Sequence, residues 1–202
     1  MQKDSNNENS NISLFDNRDD EQMSLTDTSG KLDIVYVKYV DVKSMTWEDL
    51  FDGYDYLHAI TYSSGIDFIC KLLKKFETAE IIFGSDDILS YSMKEIMAFQ
   101  LKTIERLRDR MSKNKIDLVS RIEDGSLRLL VAQKQLSHEK IYLLQSKDGK
   151  KRVIMGSANM SQSAFSGWQR ENICYMDDYN AYTWYLNCYE QLRDYSSDDI
   201  SP

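Results

Sequence analysis

The stretch SHEKIYLLQSKDGKKRVIMGSAN, residues 137–159, carries the strongest structural signal in the 202-residue chain. Two short apolar segments, residues 141–144 and 153–155, flank a polar turn that has Asp148-Gly149 at its tip. Apolar segments joined through Asp-Gly are typical of a β-hairpin, because this dipeptide tolerates the positive φ angles of a tight turn. The sequence therefore predicts two antiparallel strands here.

Polar side chains flank the predicted hairpin at the end away from its turn. His138 and Lys140 alternate with Glu139 directly before the first strand, so on an extended backbone both point to the same side. Gly156-Ser157-Ala158-Asn159 follows the second strand directly. Because antiparallel pairing brings the start of one strand beside the end of the other, we expect His138 and Asn159 to lie close together.

The segment before the hairpin predicts alternating strands and helices. Residues 56–62 and 79–84 are apolar like buried strands, and residues 66–76 between them have apolar side chains at helical spacing. This order predicts a βαβ unit with parallel strands. Further elements are expected at residues 32–37 (strand), 46–50 (helix capped by Thr46), 93–111 (helix), 127–132 (strand) and 179–195 (helix). The predicted fold class is α/β, a mixed β-sheet flanked by helices.

The charge distribution divides the chain into a central domain and two acidic ends. Of the net charge of −8, residues 1–30 carry −5 and residues 171–202 carry −6, which leaves +3 for residues 31–170. The middle of the chain is therefore compatible with a phosphate-bearing partner. We expect a disordered acidic leader at residues 1–31, a domain at 32–195 and an acidic tail or linker at 196–202. Such a tail suggests the N-terminal piece of a longer protein.

Several classes of protein are disfavoured by composition. Cys70, Cys174 and Cys188 are odd in number and widely spaced, which argues for three buried reduced thiols rather than disulfides or a zinc site. No apolar run approaches the roughly 20 residues that span a bilayer, and the N-terminus does not resemble a signal peptide. We therefore expect a cytoplasmic protein without a membrane partner.

The side chains that flank the hairpin suit an attack on phosphorus. Lys140, Ser157 and Asn159 can all donate hydrogen bonds to phosphoryl oxygens, and His138 can act as a nucleophile or as a general acid–base. A nucleophilic imidazole must be neutral, and an acceptor on its other nitrogen fixes the tautomer. Glu171 is the candidate acceptor. This chemistry requires neither a metal nor another cofactor.

The pair His138-Glu139-Lys140 and Gly156-Ser157-Ala158-Asn159 resembles the H-x-K…G-S-x-N signature of the phospholipase D superfamily. The stretch 137–171 is most similar to the phospholipase D-like nuclease branch, which includes domains attached to bacterial helicases. The resemblance implies one half of a fold in which two halves face each other across a pseudo-two-fold axis. One histidine would form a phosphohistidine intermediate, and the other would protonate the leaving oxygen.

The resemblance also implies a role for each matching residue. His138 would take either histidine role, Lys140 and Asn159 would bind the phosphate, Ser157 would line the pocket and Glu171 would orient the histidine. The other histidine, His58, has no lysine two residues later, so the chain supplies one half-site and a homodimer is implied.

One position departs from the family pattern. The family usually has an aspartate five residues after the lysine, where this chain has Gln145. Five basic residues near the motif have two interpretations: they are solvated surface, or they contact a nucleic-acid backbone. They are Lys147, Lys150, Lys151, Arg152 and Arg170.

Two functions remain open at this point. The first is a metal-independent endonuclease with a phosphohistidine intermediate in a dimeric site, acting on DNA in preference to RNA. The alternative is a non-catalytic module that binds nucleic acid or a partner protein, with a helicase or recognition domain in the same or a partner chain, as in a helicase or restriction-type protein.

Overall fold

The computed structural model describes residues 37–84, 93–113, 117–132 and 137–193, which form one mixed sheet between helices. Six helices and seven strands follow one another in these ranges. In chain order they are β1 (Lys38–Tyr39), α1 (Trp47–Leu50), β2 (Tyr56–Thr61), α2 (Ile66–Lys75), β3 (Thr78–Phe83), α3 (Met93–Lys113), α4 (Leu118–Glu123), β4 (Leu127–Val131), β5 (Ile141–Gln145), β6 (Lys151–Gly156), α5 (Gln162–Phe165), β7 (Ile173–Met176) and α6 (Tyr179–Arg193).

The sheet has the strand order β1-β7-β6-β5-β2-β3-β4 and joins two differently built halves. Strands β2, β3 and β4 are parallel, as the βαβ pattern predicts, whereas β5, β6, β7 and β1 pair antiparallel. The halves meet where β5 pairs antiparallel with β2, with Ile141 opposite Ile60. This register places the end of β2, the start of β5, the end of β6 and the start of β7 at one edge of the sheet.

Alternate side chains along the strands fill two separate cores. Tyr142 of β5 lies on the face covered by α1, α2 and α5, where its ring packs edge-on against Phe51 and Phe165 at centroid distances of 5.6 and 5.5 Å. Leu143, one residue on, lies on the opposite face, beneath Tyr182 and Tyr189 of α6. Side chains that point alternately to the two faces explain why each central strand is apolar throughout.

The predicted α/β class and most predicted elements are confirmed. Thr46 caps α1 through a reciprocal capping box: its Oγ1 accepts from the Asp49 N–H at 3.2 Å, and Asp49 Oδ2 accepts from the Thr46 N–H at 3.0 Å. The other confirmed elements end within one or two residues of their expected bounds. Short elements were not predicted; they are β1, α4, α5 and β7.

Some expectations fall where the structure gives no description. The predicted strand at 32–37 lies outside the described residues except for Val37, which precedes β1, and the leader, the tail and residues 194–195 also lie outside them. All three cysteines are free, but only Cys70 is buried; Cys174 and Cys188 are partly exposed, which corrects the expectation of three buried thiols. No helix among the described residues combines the length and the hydropathy needed to cross a bilayer.

Candidate active site

The site lies at the edge where β2 and β6 end and β5 and β7 begin, which we call the histidine edge. It comprises Tyr62, His138, Lys140, Ser157, Asn159 and Glu171. The opposite edge, with the hairpin turn at residues 146–150 and the ends of β5 and β7, is called the hairpin edge. The strand pairing accounts for the histidine edge, since Ile141 lies opposite Met155 and Gly156 lies opposite Ile173.

His138 is exposed and its ring is held against an aromatic side chain. The imidazole stacks on Tyr62 with a centroid distance of 4.0 Å and an angle of 20° between the rings. The Lys140 ammonium lies 5.3 Å from the centre of the same Tyr62 ring and donates a hydrogen bond to the His138 carbonyl. Tyr62 therefore contacts both members of the predicted His-x-Lys pair.

Asn159 is positioned by contacts that join the end of β2 to the loop after β6. Its Oδ1 accepts a hydrogen bond from the Ser63 N–H at 3.3 Å, which leaves the amide NH₂ as the donor group of the side chain. Thr61, which is fully buried, accepts from the Met160 N–H at 3.0 Å and donates to the Ser63 carbonyl at 2.7 Å. Tyr142 donates to the Ala158 carbonyl at 2.9 Å. These buried hydroxyls fix the backbone on both sides of Asn159.

Ser157 connects the loop after β6 to the start of β7. Its Oγ donates to Glu171 Oε2 and accepts from the Asn172 N–H at 2.9 Å, while its own N–H donates to the Asn172 carbonyl at 2.9 Å. This close approach depends on Gly156, whose φ is +145° and where a Cβ would lie 1.8 Å from the Asn172 carbonyl oxygen. Only glycine fits this position, which gives a physical reason for the first residue of the Gly-Ser-x-Asn motif.

Burial and a nearby carboxylate act in opposite directions on Lys140. Partial burial lowers the pKa of its ammonium, and the charge of Glu171 opposes that shift. The Lys140 ammonium is thus partly removed from water at the histidine edge. An anion bound there would restore the interactions that the ammonium has lost.

Glu171 has a different partner from the one expected. Its carboxylate accepts from Ser157, and no described residue hydrogen-bonds a ring nitrogen of His138. The orienting role of Glu171 therefore stays a prediction, and the structure gives it a contact with Ser157 and an electrostatic influence on Lys140.

The structure does not bring the basic residues of the hairpin to His138. Four of them surround the turn at the hairpin edge, separated from His138 by β5, roughly 20 Å of extended chain. Three are paired with carboxylates: Lys147 with Glu77, Lys150 with Asp148, and Arg152 with Asp177. The fourth, Lys151, donates to Gln145 and lies 4.2 Å from the centre of the Tyr182 ring. These four residues therefore lie away from His138, whereas the exposed Arg170 adjoins Glu171 in the chain. The contact of all five with a nucleic-acid backbone stays a prediction.

Gln145, which stands where the family usually has an aspartate, also lies at the hairpin edge. It pairs with Tyr56 and Lys151 at the end of β5, and its side-chain carbonyl accepts from the Lys151 ammonium. This departure from the family pattern therefore lies at a strand end remote from the cluster around His138.

His58 is remote from the histidine edge as well. It lies in the middle of β2 beneath α6, with its ring centroid 5.2 Å from that of Tyr189. Burial lowers the pKa of its imidazole, although the carboxylates of Glu80 and Glu190 oppose that shift. His58 is therefore a core residue, and His138 is the one imidazole that this chain places at the site.

Three residues of the site were missed by sequence reasoning. Tyr62, Thr61 and Tyr142 belong to strands that were predicted, but their roles depend on the pairing of β2 with β5. A tyrosine at the end of a strand, directly before a Ser-Ser-Gly turn, was the one local signal available for Tyr62.

Comparison with known proteins extends this description. A family model described as the NgoFVII restriction endonuclease N-terminal PLD domain, where PLD is phospholipase D, matches residues 43–200. No curated protein matches the chain significantly. Among solved structures, phosphatidylserine synthase from Haemophilus influenzae Rd KW20 has a TM-score of 0.50 at 17% identity, over 77% of this chain and 36% of that one.

Two smaller solved proteins match over nearly their whole length. Nuc from Salmonella typhimurium, a phospholipase D family member, has a TM-score of 0.48 at 12% identity, and the match covers 82% of this chain and 97% of the Nuc chain. NucT from Helicobacter pylori has a TM-score of 0.47 at 13% identity, with 81% and 97% covered. Since the family model spans more than three quarters of the sequence and includes all six residues of the histidine edge, the chain belongs to the family of NgoFVII restriction endonuclease N-terminal phospholipase D domains.

Proposed function

We propose that this domain hydrolyses phosphodiester bonds in DNA without a metal ion, through a phosphohistidine intermediate on His138. The observation that carries the proposal is the convergence of His138, Lys140 and Asn159 at one edge of the sheet, joined through Tyr62 and the end of β2. The family description names a restriction endonuclease, which supports DNA as the substrate.

The groups at the edge divide the work of phosphoryl transfer. A neutral nitrogen of His138 attacks phosphorus, and the bond to the leaving oxygen breaks. Lys140 and the Asn159 NH₂ donate to the non-bridging oxygens, whose negative charge must be stabilised in the transition state. Ser157, fixed between Glu171 and Asn172, lines the same pocket.

The leaving oxygen needs a proton from a second acid–base group. Because His58 lies midway along β2 beneath α6, away from the histidine edge, we place this second imidazole on a second copy of the chain in a homodimer. In this scheme the imidazolium of the second His138 protonates the leaving oxygen. The resulting neutral imidazole takes a proton from water, which attacks phosphorus, breaks the P–N bond and regenerates the first His138.

Gln145 is the residue that would favour the alternative of a non-catalytic binding module, because it departs from the family pattern. Its location at the hairpin edge, hydrogen-bonded to Lys151, separates that substitution from the groups that would perform chemistry. We therefore favour an active enzyme. The cytoplasmic location and a helicase or recognition domain in the same or a partner chain remain predictions.

The test is cleavage of single- and double-stranded DNA and of RNA in the presence of EDTA, with the wild type beside His138→Ala. We expect wild-type cleavage of DNA in EDTA, and a loss of at least about 10³-fold in the variant. Denaturation during turnover should also trap labelled DNA covalently on the wild type but not on His138→Ala.

The matched control is His58→Gln, which changes the chain's other histidine and should retain activity. Binding of DNA without cleavage by the wild type would favour the non-catalytic module. Cleavage that survives in His138→Ala would contradict the assignment of the nucleophile. Sedimentation velocity of the wild type tests the dimer, and an active monomer would exclude the shared site.

A further inference from the structure

Trp168 is the most exposed large apolar side chain among the described residues, at 90% of its full accessible surface. A tryptophan ring left in water forgoes a large favourable burial, so such exposure at an ordered position calls for a partner. Trp168 lies in the loop between α5 and β7, directly after Gly167, which turns the backbone at a φ of +78°.

Hydrogen bonds on both sides of Trp168 hold its loop in place. Ser161 caps α5 by accepting from the Ala164 N–H at 3.3 Å. Past the turn, the Gln169 N–H donates to the Ser163 carbonyl at 3.2 Å, and Ser163 Oγ donates to the Gln169 side chain at 3.4 Å. The indole is thus presented to solvent by a closed turn that is tied to a helix.

The loop leads directly into the histidine edge. Trp168 is three residues before Glu171, which accepts from Ser157, and three residues of extended chain span at most about 10 Å. Arg170 lies between them, is exposed, and forms no ion pair with any residue in the described ranges. An exposed aromatic ring and an exposed cation therefore lie within three residues of Glu171 in the chain.

The surroundings of Trp168 favour a nucleic acid over a protein as its partner. Its chain neighbours Ser166, Gly167, Gln169 and Arg170 are all exposed and lack large apolar groups. Val42, whose side chain lies beside Gly167, is partly buried, and the exposed Tyr39 is on β1, opposite Cys174 of β7. The remaining exposed large apolar side chains are Val37, Met97, Leu101, Val119 and Tyr179. A protein interface needs a contiguous apolar centre, whereas a nucleobase needs one aromatic face and its phosphate needs one cation.

We propose that Trp168 stacks on an unpaired nucleobase next to the scissile phosphate, and that Arg170 binds the adjoining phosphate of the same strand. The inference rests on the proposed function and deepens it by naming the substrate feature read beside the chemistry. An unpaired base is required because the face of a paired base is covered by its neighbours in the duplex. Single-stranded or locally opened DNA is therefore the expected form of the substrate.

The test measures binding of a fluorescein-labelled single-stranded oligonucleotide in the His138→Ala background, where turnover is absent. Adding Trp168→Ala should weaken binding about tenfold, as expected for the loss of one base stack, and Trp168→Phe should retain most of the affinity. The matched control is Tyr179→Ala, an aromatic ring 67% exposed at the hairpin edge, which should leave binding within about twofold.

Two further measurements identify the contact. Replacing one base of the oligonucleotide at a time by an abasic site should reveal a position where binding weakens, and Trp168→Ala should abolish that sensitivity. The oligonucleotide should also quench the intrinsic fluorescence of the protein, and Trp168→Phe should remove most of the quenching.

Contrary outcomes separate this inference from the proposed function. Unchanged oligonucleotide affinity in Trp168→Ala, with wild-type cleavage intact, would overturn the stacking proposal alone. Dissociation of a dimer by Trp168→Ala, with unchanged affinity per site, would assign the ring to an interface between copies and would likewise overturn it. A wild type that neither binds nor cleaves nucleic acid would refute both proposals.

Discussion

The histidine edge and the hairpin edge both display basic side chains, but the pairing of those side chains differs. At the hairpin edge Lys147, Lys150 and Arg152 each contact a carboxylate. At the histidine edge the Lys140 ammonium donates to a backbone carbonyl and lies beside the Tyr62 ring, and burial lowers its pKa. Three of the four basic side chains at the hairpin edge are thus balanced by carboxylates, whereas Lys151 there donates to the Gln145 side chain. The contrast teaches that the number of positive charges at an edge does not give the charge that is left to bind a phosphate.

The largest predicted effect is a difference in activity between two lysine variants, one at each edge. Lys140→Ala should lower the rate of DNA cleavage on the order of 10²- to 10³-fold, because it removes a donor to the developing charge on phosphate. Lys147→Ala should change the rate by less than about twofold, since Lys147 pairs with Glu77 at the other edge. The measurement is kcat/KM for both variants, with circular dichroism as the check on folding. Comparable losses in the two variants would show that the edges do not differ in function.

The same contrast predicts a large effect on stability at the hairpin edge. Arg152 has 14% of its side chain exposed, donates to both oxygens of Asp177 at 2.6 and 3.0 Å, and lies 4.4 Å from the centre of the Tyr175 ring. Arg152→Ala would remove the packing of the largely buried guanidinium against the Tyr175 ring, while the exposed Asp177 would keep its contact with Lys38 at 3.4 Å. The free energy of unfolding should therefore fall by about 2 kcal/mol.

The matched variant for this prediction is Lys150→Ala, which breaks an exposed pair with Asp148 in the same hairpin. Exposed pairs contribute about 0–1 kcal/mol, so this change should be small. Urea unfolding of both variants provides the comparison. Equal destabilisation by the two changes would mean that Arg152 is no more structural than the lysine.

A moderate effect is expected from the ring beneath His138. Tyr62→Ala should lower kcat about tenfold by releasing the imidazole from its stacked orientation, equivalent to about 1.4 kcal/mol. Tyr62→Phe keeps the ring and should retain most of the activity, while KM stays similar in both variants. Because Tyr62 acts through His138, a loss that appears in KM alone would contradict a positioning role.

What the sequence could reveal depended on how far apart in the chain the interacting residues lie. The hairpin of β5 and β6 and the βαβ unit follow from local patterns, and the hairpin pattern alone predicts that His138 and Asn159 lie at the same end of the sheet. The antiparallel joining of β2 to β5 has no local signal, since about 80 residues separate the strands. The contact of Tyr62 with His138 depends on that joining and was missed for this reason.

Electrostatic partners were harder to predict than strands. Lys140 and Lys147 are equivalent as letters in the sequence, and only the fold shows that Glu77 neutralises one of them. Glu171 was expected beside His138, but the close approach of β7 to Gly156 directs it to Ser157. A motif thus identifies which residues meet at a site, whereas the charge balance there is set by chain segments distant in sequence.

The smallest predicted effect concerns the histidine that lies away from both edges. His58 Nδ1 is buried and has no hydrogen-bond partner within the described part of the chain. Burial holds the pKa of this imidazole below its ordinary 6.5, with Glu80 and Glu190 opposing the shift and the positive charges of Arg193 and Lys151 adding to it. The folded protein therefore resists a proton that the unfolded chain accepts.

The direction of the pH dependence follows from that difference. Well above pH 6.5 neither the folded nor the unfolded state binds the proton, so His58 has no effect on the pH dependence. As the pH falls below about 6.5, the unfolded state binds protons first. The free energy of unfolding therefore declines until the pH passes the lower pKa of His58 in the folded protein. His58→Leu should remove this part of the slope between pH 7 and pH 5 in urea unfolding, while His138→Leu, at the exposed position, provides the control for losing a histidine. Identical slopes in the wild type and His58→Leu would mean that water or a hydrogen bond already compensates the buried imidazole. In that case the environment of His58 would no longer separate it from the exposed His138. The stacking of His138 on Tyr62 would then be the feature that distinguishes the two histidines.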